Sequence, residues 1–189
     1  MSSIVVDIDV DNFQGEGLDI IGTENADILQ GTNAGELIKG LEGDDSISAS
    51  DGDDFVMGNA DNDTIGGGDG DDTILGGKGG DLIFAYKGDD VVNAGRGNDI
   101  IRSGEGSDIL FGGAGKDIFT FELKDFTGDS MDTVADFDID EDQIFIQGLT
   151  DQNAVGFDSK TGMVTVDGEE IIQFENIDGA DSAEDFELF

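Results

Sequence analysis

The sequence contains no cysteine, no histidine, no proline and no tryptophan. Without cysteine there is no disulfide, no thiolate chemistry and no haem attachment. With histidine absent as well, ordinary zinc sites are excluded, and so is every imidazole general base or histidine-based triad. The serine-nucleophile signature Gly-x-Ser-x-Gly does not occur either. Positive charge is scarce: Lys and Arg number 8 against 46 Asp and Glu, a formal net charge of −38. A nucleic-acid binder needs a basic surface, which this chain lacks, and attraction to anionic lipid is excluded on the same ground. Among so many carboxylates, any one pair says nothing about glycosidase chemistry. Long apolar runs are missing too. The longest, Leu82–Tyr86, has five residues, far short of a membrane span. The start, MSSIVVDIDVDNFQGEG, has no Lys or Arg and an apolar run of only Ile4–Val6, so it does not read as a cleavable signal peptide. Having 31 glycines beside no proline rules out collagen and a Pro/Gly-rich linker.

What is present fits one domain, or a domain with a cap, in 189 residues. High net charge with 37% hydrophobic content points toward disorder. Thirteen Phe and many Ile and Leu point toward a core. Both tendencies hold in one chain if a cation decides between them.

A nine-residue period runs from Gly22 to Thr120 without insertion or deletion. Its eleven blocks begin GTENADILQ, GTNAGELIK, GLEGDDSIS and end AGRGNDIIR, SGEGSDILF, GGAGKDIFT. Position six is Asp27, Glu36, Asp45, Asp54, Asp63, Asp72, Asp81, Asp90, Asp99, Asp108 and Asp117. Position eight is Leu29, Ile38, Ile47, Val56, Ile65, Ile74, Ile83, Val92, Ile101, Leu110 and Phe119. Position four is Gly in eight of the eleven blocks. The first six residues of a block suit a turn, and the last three suit a brief strand. Such a strand is stable only when stacked on copies of itself, as in a parallel solenoid. With one block per half coil, strands of one sheet come from blocks two apart, ~4.8 Å from each other. Position eight then points inward from both sheets.

Stacking also places position-six acids 18 residues apart one above another. Like charges ~4.8 Å apart repel by ~3.5 kcal/mol at an effective dielectric of about 20. Several such contacts exceed the ~5–15 kcal/mol net stability of a typical domain. Something positive must lie between the carboxylates. Calcium fits, because it accepts six to eight oxygens in tolerant geometry, carbonyls included; magnesium demands a tight octahedron and keeps its water.

The pattern resembles GGxGxDxUx, the nonapeptide of RTX proteins, the haemolysin-type calcium-binding repeats. Gly67–Leu75 and Gly112–Thr120 match at every defined position. The resemblance implies an all-β fold, a right-handed parallel β-roll. It implies several calcium ions held between turns by position-six aspartates and turn carbonyls. Carried over, the ligands are Asp45, Asp54, Asp63, Asp72, Asp81, Asp90, Asp99, Asp108 and Asp117, with Asp27 joining them from the first block. The matching turn glycines are Gly43, Gly52, Gly70, Gly79, Gly88, Gly97, Gly106 and Gly115 at position four. At position two they are Gly68, Gly77, Gly95, Gly104 and Gly113. Departures fall mainly in the first blocks. Glu36 and Ala34 replace the expected Asp and Gly, Asn25 and Asp61 stand at position four, and Ala49 and Ala85 open their blocks, the latter followed by Tyr86. The best sites are expected from Asp63 to Asp117.

The flanks differ in texture. Residues 1–21 alternate in part (Ile4, Val6, Ile8, Val10) and read as a strand cap on the repeats of 22–120. Residues 121–189 read as a β-rich cap, with Asp167-Gly168 as a hairpin turn. This segment is similar to the C-terminal cap of serralysin-type secreted proteins, the stretch Asp136–Ile144 included. The ending AEDFELF resembles the uncleaved signal of type I secretion cargo. That implies export by type I machinery and an extracellular, calcium-rich destination. EF-hand loops fail at Asn12 and Leu18, and again at Glu141 and Gln147. Lys78, Lys87 and Arg96 at position three of consecutive blocks read as charge compensation. Position seven, apolar in eight blocks, is expected to face outward.

The expectation is therefore a secreted calcium-binding protein without catalysis and without nucleic-acid or membrane partners, with a structural, adhesive or matrix role. The alternative is a secretion and folding module that accompanies a separate enzyme such as a protease or lipase.

Overall fold

A computed structural model describes residues 17–126, 130–149, 154–158 and 160–175. The described residues form strands and turns, with no helix long and apolar enough to cross a membrane. One sheet contains, in spatial order, β1 (Ile20–Ile21), β3 (Leu37–Glu42), β5 (Phe55–Ala60), β7 (Thr73–Lys78), β9 (Val91–Arg96), β11 (Ile109–Ala114), β13 (Asp132–Val134), β17 (Glu169–Phe174), β16 (Met163–Val166) and β15 (Val155–Asp158). The other contains β14 (Gln143–Gln147), β12 (Ile118–Glu122), β10 (Ile100–Glu105), β8 (Leu82–Lys87), β6 (Thr64–Asp69), β4 (Ser46–Asp51) and β2 (Ile28–Gln30). Alternate blocks thus feed alternate sheets, and the fold is an all-β parallel solenoid, as the period predicts.

The register comes from the repeat. Ile74 pairs with Val56 on one side and Val92 on the other, always 18 residues away. Position eight points inward: Ile38, Val56, Ile65, Ile74, Ile83, Val92, Ile101, Leu110 and Phe119 are all fully buried. Burying each such side chain contributes roughly 1.5–3 kcal/mol. Position one also faces inward, which accounts for the small residues there. Ala49, Ala85 and Ala94 are fully buried in the same cluster, so the alanines that open blocks four and eight are core residues. Position seven faces outward and is half-covered at most blocks, with Ile28 and Ile100 exposed; Phe55 is the exception and is buried.

The strands are longer than the three residues expected. Pairing skips position one but resumes at positions two and three, as in Asn59↔Gly77 and Ala60↔Lys78. Position two lies in the left-handed region, with Gly77 at φ 118°, so the chain bends inward at position one and rejoins the ladder. Tyr86, Asn59, Ser50 and Leu41 take the same conformation without being glycine.

The solenoid register runs on at both ends. Ile20 pairs with Ile38 in the 18-residue step; the strands expected over Ile4–Val10 lie outside the described residues. Beyond residue 120, β13 adds to β11 and β14 adds to β12, both parallel. Strands β15, β16 and β17 then form an antiparallel set. Asp167 (φ 54°) and Gly168 (φ 87°) make the expected tight turn between β16 and β17. Phe137 packs against Phe119 (5.9 Å between ring centroids) and against Phe174 (5.1 Å), closing that end of the core.

Candidate metal centre

Each half coil places one position-six carboxylate where the chain enters a strand, and the 18-residue register aligns these residues in two columns. Beside the ten-stranded sheet stand Glu36, Asp54, Asp72, Asp90 and Asp108; beside the seven-stranded sheet stand Asp27, Asp45, Asp63, Asp81, Asp99 and Asp117. They do not lie on a solvated edge. From Asp45 to Asp117 each is at most 3% exposed.

The two oxygens of each carboxylate have different fates. Oδ1 accepts the backbone N–H of the residue one coil earlier: Asp63 N–H donates to Asp81 at 2.8 Å, Asp72 N–H to Asp90 at 2.7 Å and Asp81 N–H to Asp99 at 2.7 Å. Oδ2 of Asp45, Asp54, Asp63, Asp72, Asp81, Asp90, Asp99, Asp108 and Asp117 is buried and has no hydrogen-bond partner. Each such atom costs about 1–3 kcal/mol, and more when charged, so nine together exceed the net stability of a typical domain.

Burial is accordingly the largest influence on their acidity. It pushes Asp54, Asp99 and Asp117 up to about 6, Asp63 and Asp72 to about 7, and Asp90 to about 8. The stacked backbone N–H opposes the rise, and neighbouring carboxylates reinforce it. Asp45, Asp81 and Asp108 are raised by burial as well.

The turn glycines serve close stacking of backbone on backbone. All thirteen expected positions, Gly43, Gly52, Gly68, Gly70, Gly77, Gly79, Gly88, Gly95, Gly97, Gly104, Gly106, Gly113 and Gly115, have positive φ. At Gly97 (φ 145°) a Cβ would overlap the carbonyl oxygen of Gly79 in the coil below. The carbonyls at position four therefore aim along the rod at the next turn. Among the described residues, those of Gly52, Gly70, Gly79 and Gly88 accept no backbone turn hydrogen bond.

The first two blocks are built differently. Asp27 Oδ2 accepts from Thr23 N–H (2.6 Å) and Thr23 Oγ1 (2.9 Å). Glu36 accepts from Thr32 N–H at 3.0 Å and from the Thr32 hydroxyl. Threonine at position two, where later blocks prefer glycine, satisfies the acid from within its own block.

Three features go beyond what the repeat period reveals. Asp132 and Asp142 continue the columns, Oδ1 accepting from Asp108 N–H (3.0 Å) and Asp117 N–H (2.9 Å) respectively. Their signal is present as Asp-x-apolar in Asp132–Val134 and Asp142–Ile144. It is hidden because the steps are 24 and 25 residues instead of 18. The third feature is a ladder at position five, running the opposite way: Asp71 N–H donates to Asp53 Oδ1, Asp89 N–H to Asp71 Oδ1 and Gly80 N–H to Asn62 Oδ1.

Buried carboxylate oxygens without donors, in a repeat whose turns also carry carbonyls that accept no backbone turn hydrogen bond, suit a hard cation with oxygen ligands and no nitrogen or sulfur. Among the described residues no three acidic groups converge on one point, so an ion here would draw on carbonyls as well as on stacked carboxylates. Residues 30–65, 66–101 and 96–122 match the family model of the RTX calcium-binding nonapeptide repeat (4 copies). No curated protein matches the chain.

Proposed function

The chain is an RTX repeat protein, and from that premise we propose that it is a secreted, non-catalytic protein whose β-roll folds as calcium ions enter between its turns. The observation that carries the reading is the row of buried, donor-less Oδ2 atoms from Asp45 to Asp117. A fold that leaves them bare at neutral pH is held back by desolvation and repulsion; a divalent cation removes both terms at once. The ligand set proposed is Asp45, Asp54, Asp63, Asp72, Asp81, Asp90, Asp99, Asp108 and Asp117 with the position-two and position-four turn carbonyls. Asp27, already met by Thr23, has the least need of an ion.

Neighbouring sites share an aspartate, so binding is cooperative. If the sites behave as other extracellular modules do, affinities fall at roughly 10⁻⁴–10⁻³ M. That range keeps the chain open where calcium is scarce and folded where it is abundant. It suits export of a loose chain through type I machinery followed by folding outside, with the rod then acting as a structural, adhesive or matrix element.

Isothermal titration of the full chain tests the ligand assignment. Asp81→Asn and Asp99→Asn lower the apparent calcium affinity and the cooperativity. A titration curve identical to that of the unaltered protein contradicts the assignment. Export is tested by expressing the chain with and without 183–189 in a cell carrying type I machinery; loss of the extracellular product on truncation is the expected result, and equal export of both forms contradicts it.

A further inference from the structure

We propose that the cation column beside the ten-stranded sheet runs past the nonapeptides and takes its last carboxylate from Asp132, so that a divalent cation at the Asp108–Asp132 step clamps the C-terminal cap onto the rod. The inference rests on the calcium reading of the repeats. It concerns a residue outside the matched segments, which end at 122.

Asp132 reproduces the carboxylate environment of the repeat aspartates without belonging to a nonapeptide. It is fully buried. Its Oδ1 accepts Asp108 N–H at 3.0 Å, the contact that Asp108 Oδ1 makes with Asp90 N–H at 2.9 Å. The Ser103 hydroxyl stands near enough to steady the carboxylate, yet Oδ2 is buried with no hydrogen-bond partner, like that of the repeat aspartates.

The other column ends show that the chain can close such a column with its own donors. At Asp27, Thr23 does so. At Glu36, Thr32 does so. At Asp142, Oδ2 accepts Asp138 N–H at 2.9 Å. Of these four ends, Asp132 is the one whose Oδ2 lacks a closing donor. The residue paired with it one strand further on is Ile172, fully buried and apolar, and the nearby buried carboxylate of Asp125 adds negative charge beside both Asp108 and Asp132, not a donor. The bare oxygen is itself buried from solvent. A cation is the partner this geometry admits.

The consequence is mechanical. Asp132 opens β13, and β13 is the strand on which β17 docks, through Asp132↔Ile172 and Val134↔Phe174. An ion on Asp132 thus fixes the first strand of the cap to the last turns of the rod.

The test counts calcium per chain by equilibrium dialysis of the full protein, for the unaltered sequence, Asp132→Asn, Asp90→Asn and the exposed control Asp140→Asn. Asparagine retains an acceptor for Asp108 N–H. The expected result is a loss of about one ion for Asp132→Asn, a loss for Asp90→Asn and no change for Asp140→Asn. If Asp132→Asn binds as many ions as the unaltered chain while Asp90→Asn binds fewer, this proposal falls and the repeat reading stands. If the unaltered chain binds no calcium, the repeat reading falls and takes this one with it. Should Asp132→Asn fail to fold, the side-chain carboxyl resonance of Asp132 in the unaltered protein decides. It must move on calcium addition together with those of Asp72 and Asp90; a resonance that stays fixed overturns the proposal.

Discussion

A buried aspartate needs both oxygens met, and in the two columns the protein meets only one. Asp72 is representative. Its own N–H is held by Asp90, and its Oδ1 holds the Asp54 N–H at 2.8 Å, while Oδ2 is bare. Replacing Asp72 by Asn removes a buried charge but keeps an acceptor. In EDTA at neutral pH, Asp72→Asn should therefore raise the stability of the fold, by about 1–3 kcal/mol, while in calcium it lowers affinity. Urea unfolding with and without calcium reads both signs; destabilisation in both media contradicts the ligand role. The raised carboxyl pKa values fix a second sign. A folded-state value above the ordinary aspartate range means the folded chain binds protons that the unfolded chain releases. Metal-free stability is then greatest near and below pH ~4 and is lost as pH rises through about 6 to about 8, the values of Asp54, Asp72 and Asp90. In EDTA, β-structure should increase when pH is lowered from about 8 to about 5. Calcium competes with these protons, so its apparent affinity should fall over the same descent, and calorimetry in buffers of different ionisation enthalpy should detect proton release on binding. Metal-free β-structure that is lost on acidification would contradict the burial account.

At the scale of the element, one block supplies a strand, a bend and a turn, and each part is legible in the sequence to a different degree. The strand is readable from Ile74 and its equivalents, because an apolar residue every nine positions has no other explanation than a repeated inward face. Ile74→Ala should cost about 2–5 kcal/mol. The turn is readable from its glycines, and the reason for them is the carbonyl of the coil below. Gly97→Ala should destabilise the calcium-bound fold strongly, because φ 145° is unsuited to alanine and the new Cβ meets the Gly79 carbonyl oxygen. Thermal unfolding in saturating calcium measures both; a Gly97→Ala variant as stable as the parent contradicts the stacked-turn geometry. Composition does not reveal the ladder at position five. Asp53, Asp71 and Asp89 look like generic turn acids, and only the parallel register shows that each accepts the N–H of the next coil. The longer strands escape for a related reason: positions two and three carry little β-propensity, yet their backbone pairs once position one has turned inward.

At the scale of the molecule, the period predicts two parallel sheets, and the 18-residue register holds from β1 to β11 in one and from β2 to β12 in the other. The end of the rod is harder to read. Asp132 and Asp142 stand in the columns, but their steps of 24 and 25 residues break the phase that makes their predecessors visible. An insertion in a loop shifts sequence spacing without shifting the strand it feeds, so periodicity alone cannot track it. With a net charge of −38 on 189 residues, the whole chain repels itself. Local burial and global charge thus oppose metal-free folding together, and both are relieved by the same ions. The most direct test is a calcium titration of the full chain at about pH 7.5, above most of the raised carboxyl values. It is monitored by far-UV circular dichroism and size-exclusion chromatography, with EDTA and magnesium as controls. Calcium-driven folding predicts a cooperative gain of β-signal with a shrinking hydrodynamic radius in calcium and neither change in magnesium. A chain already compact and β-structured in EDTA at that pH would contradict it.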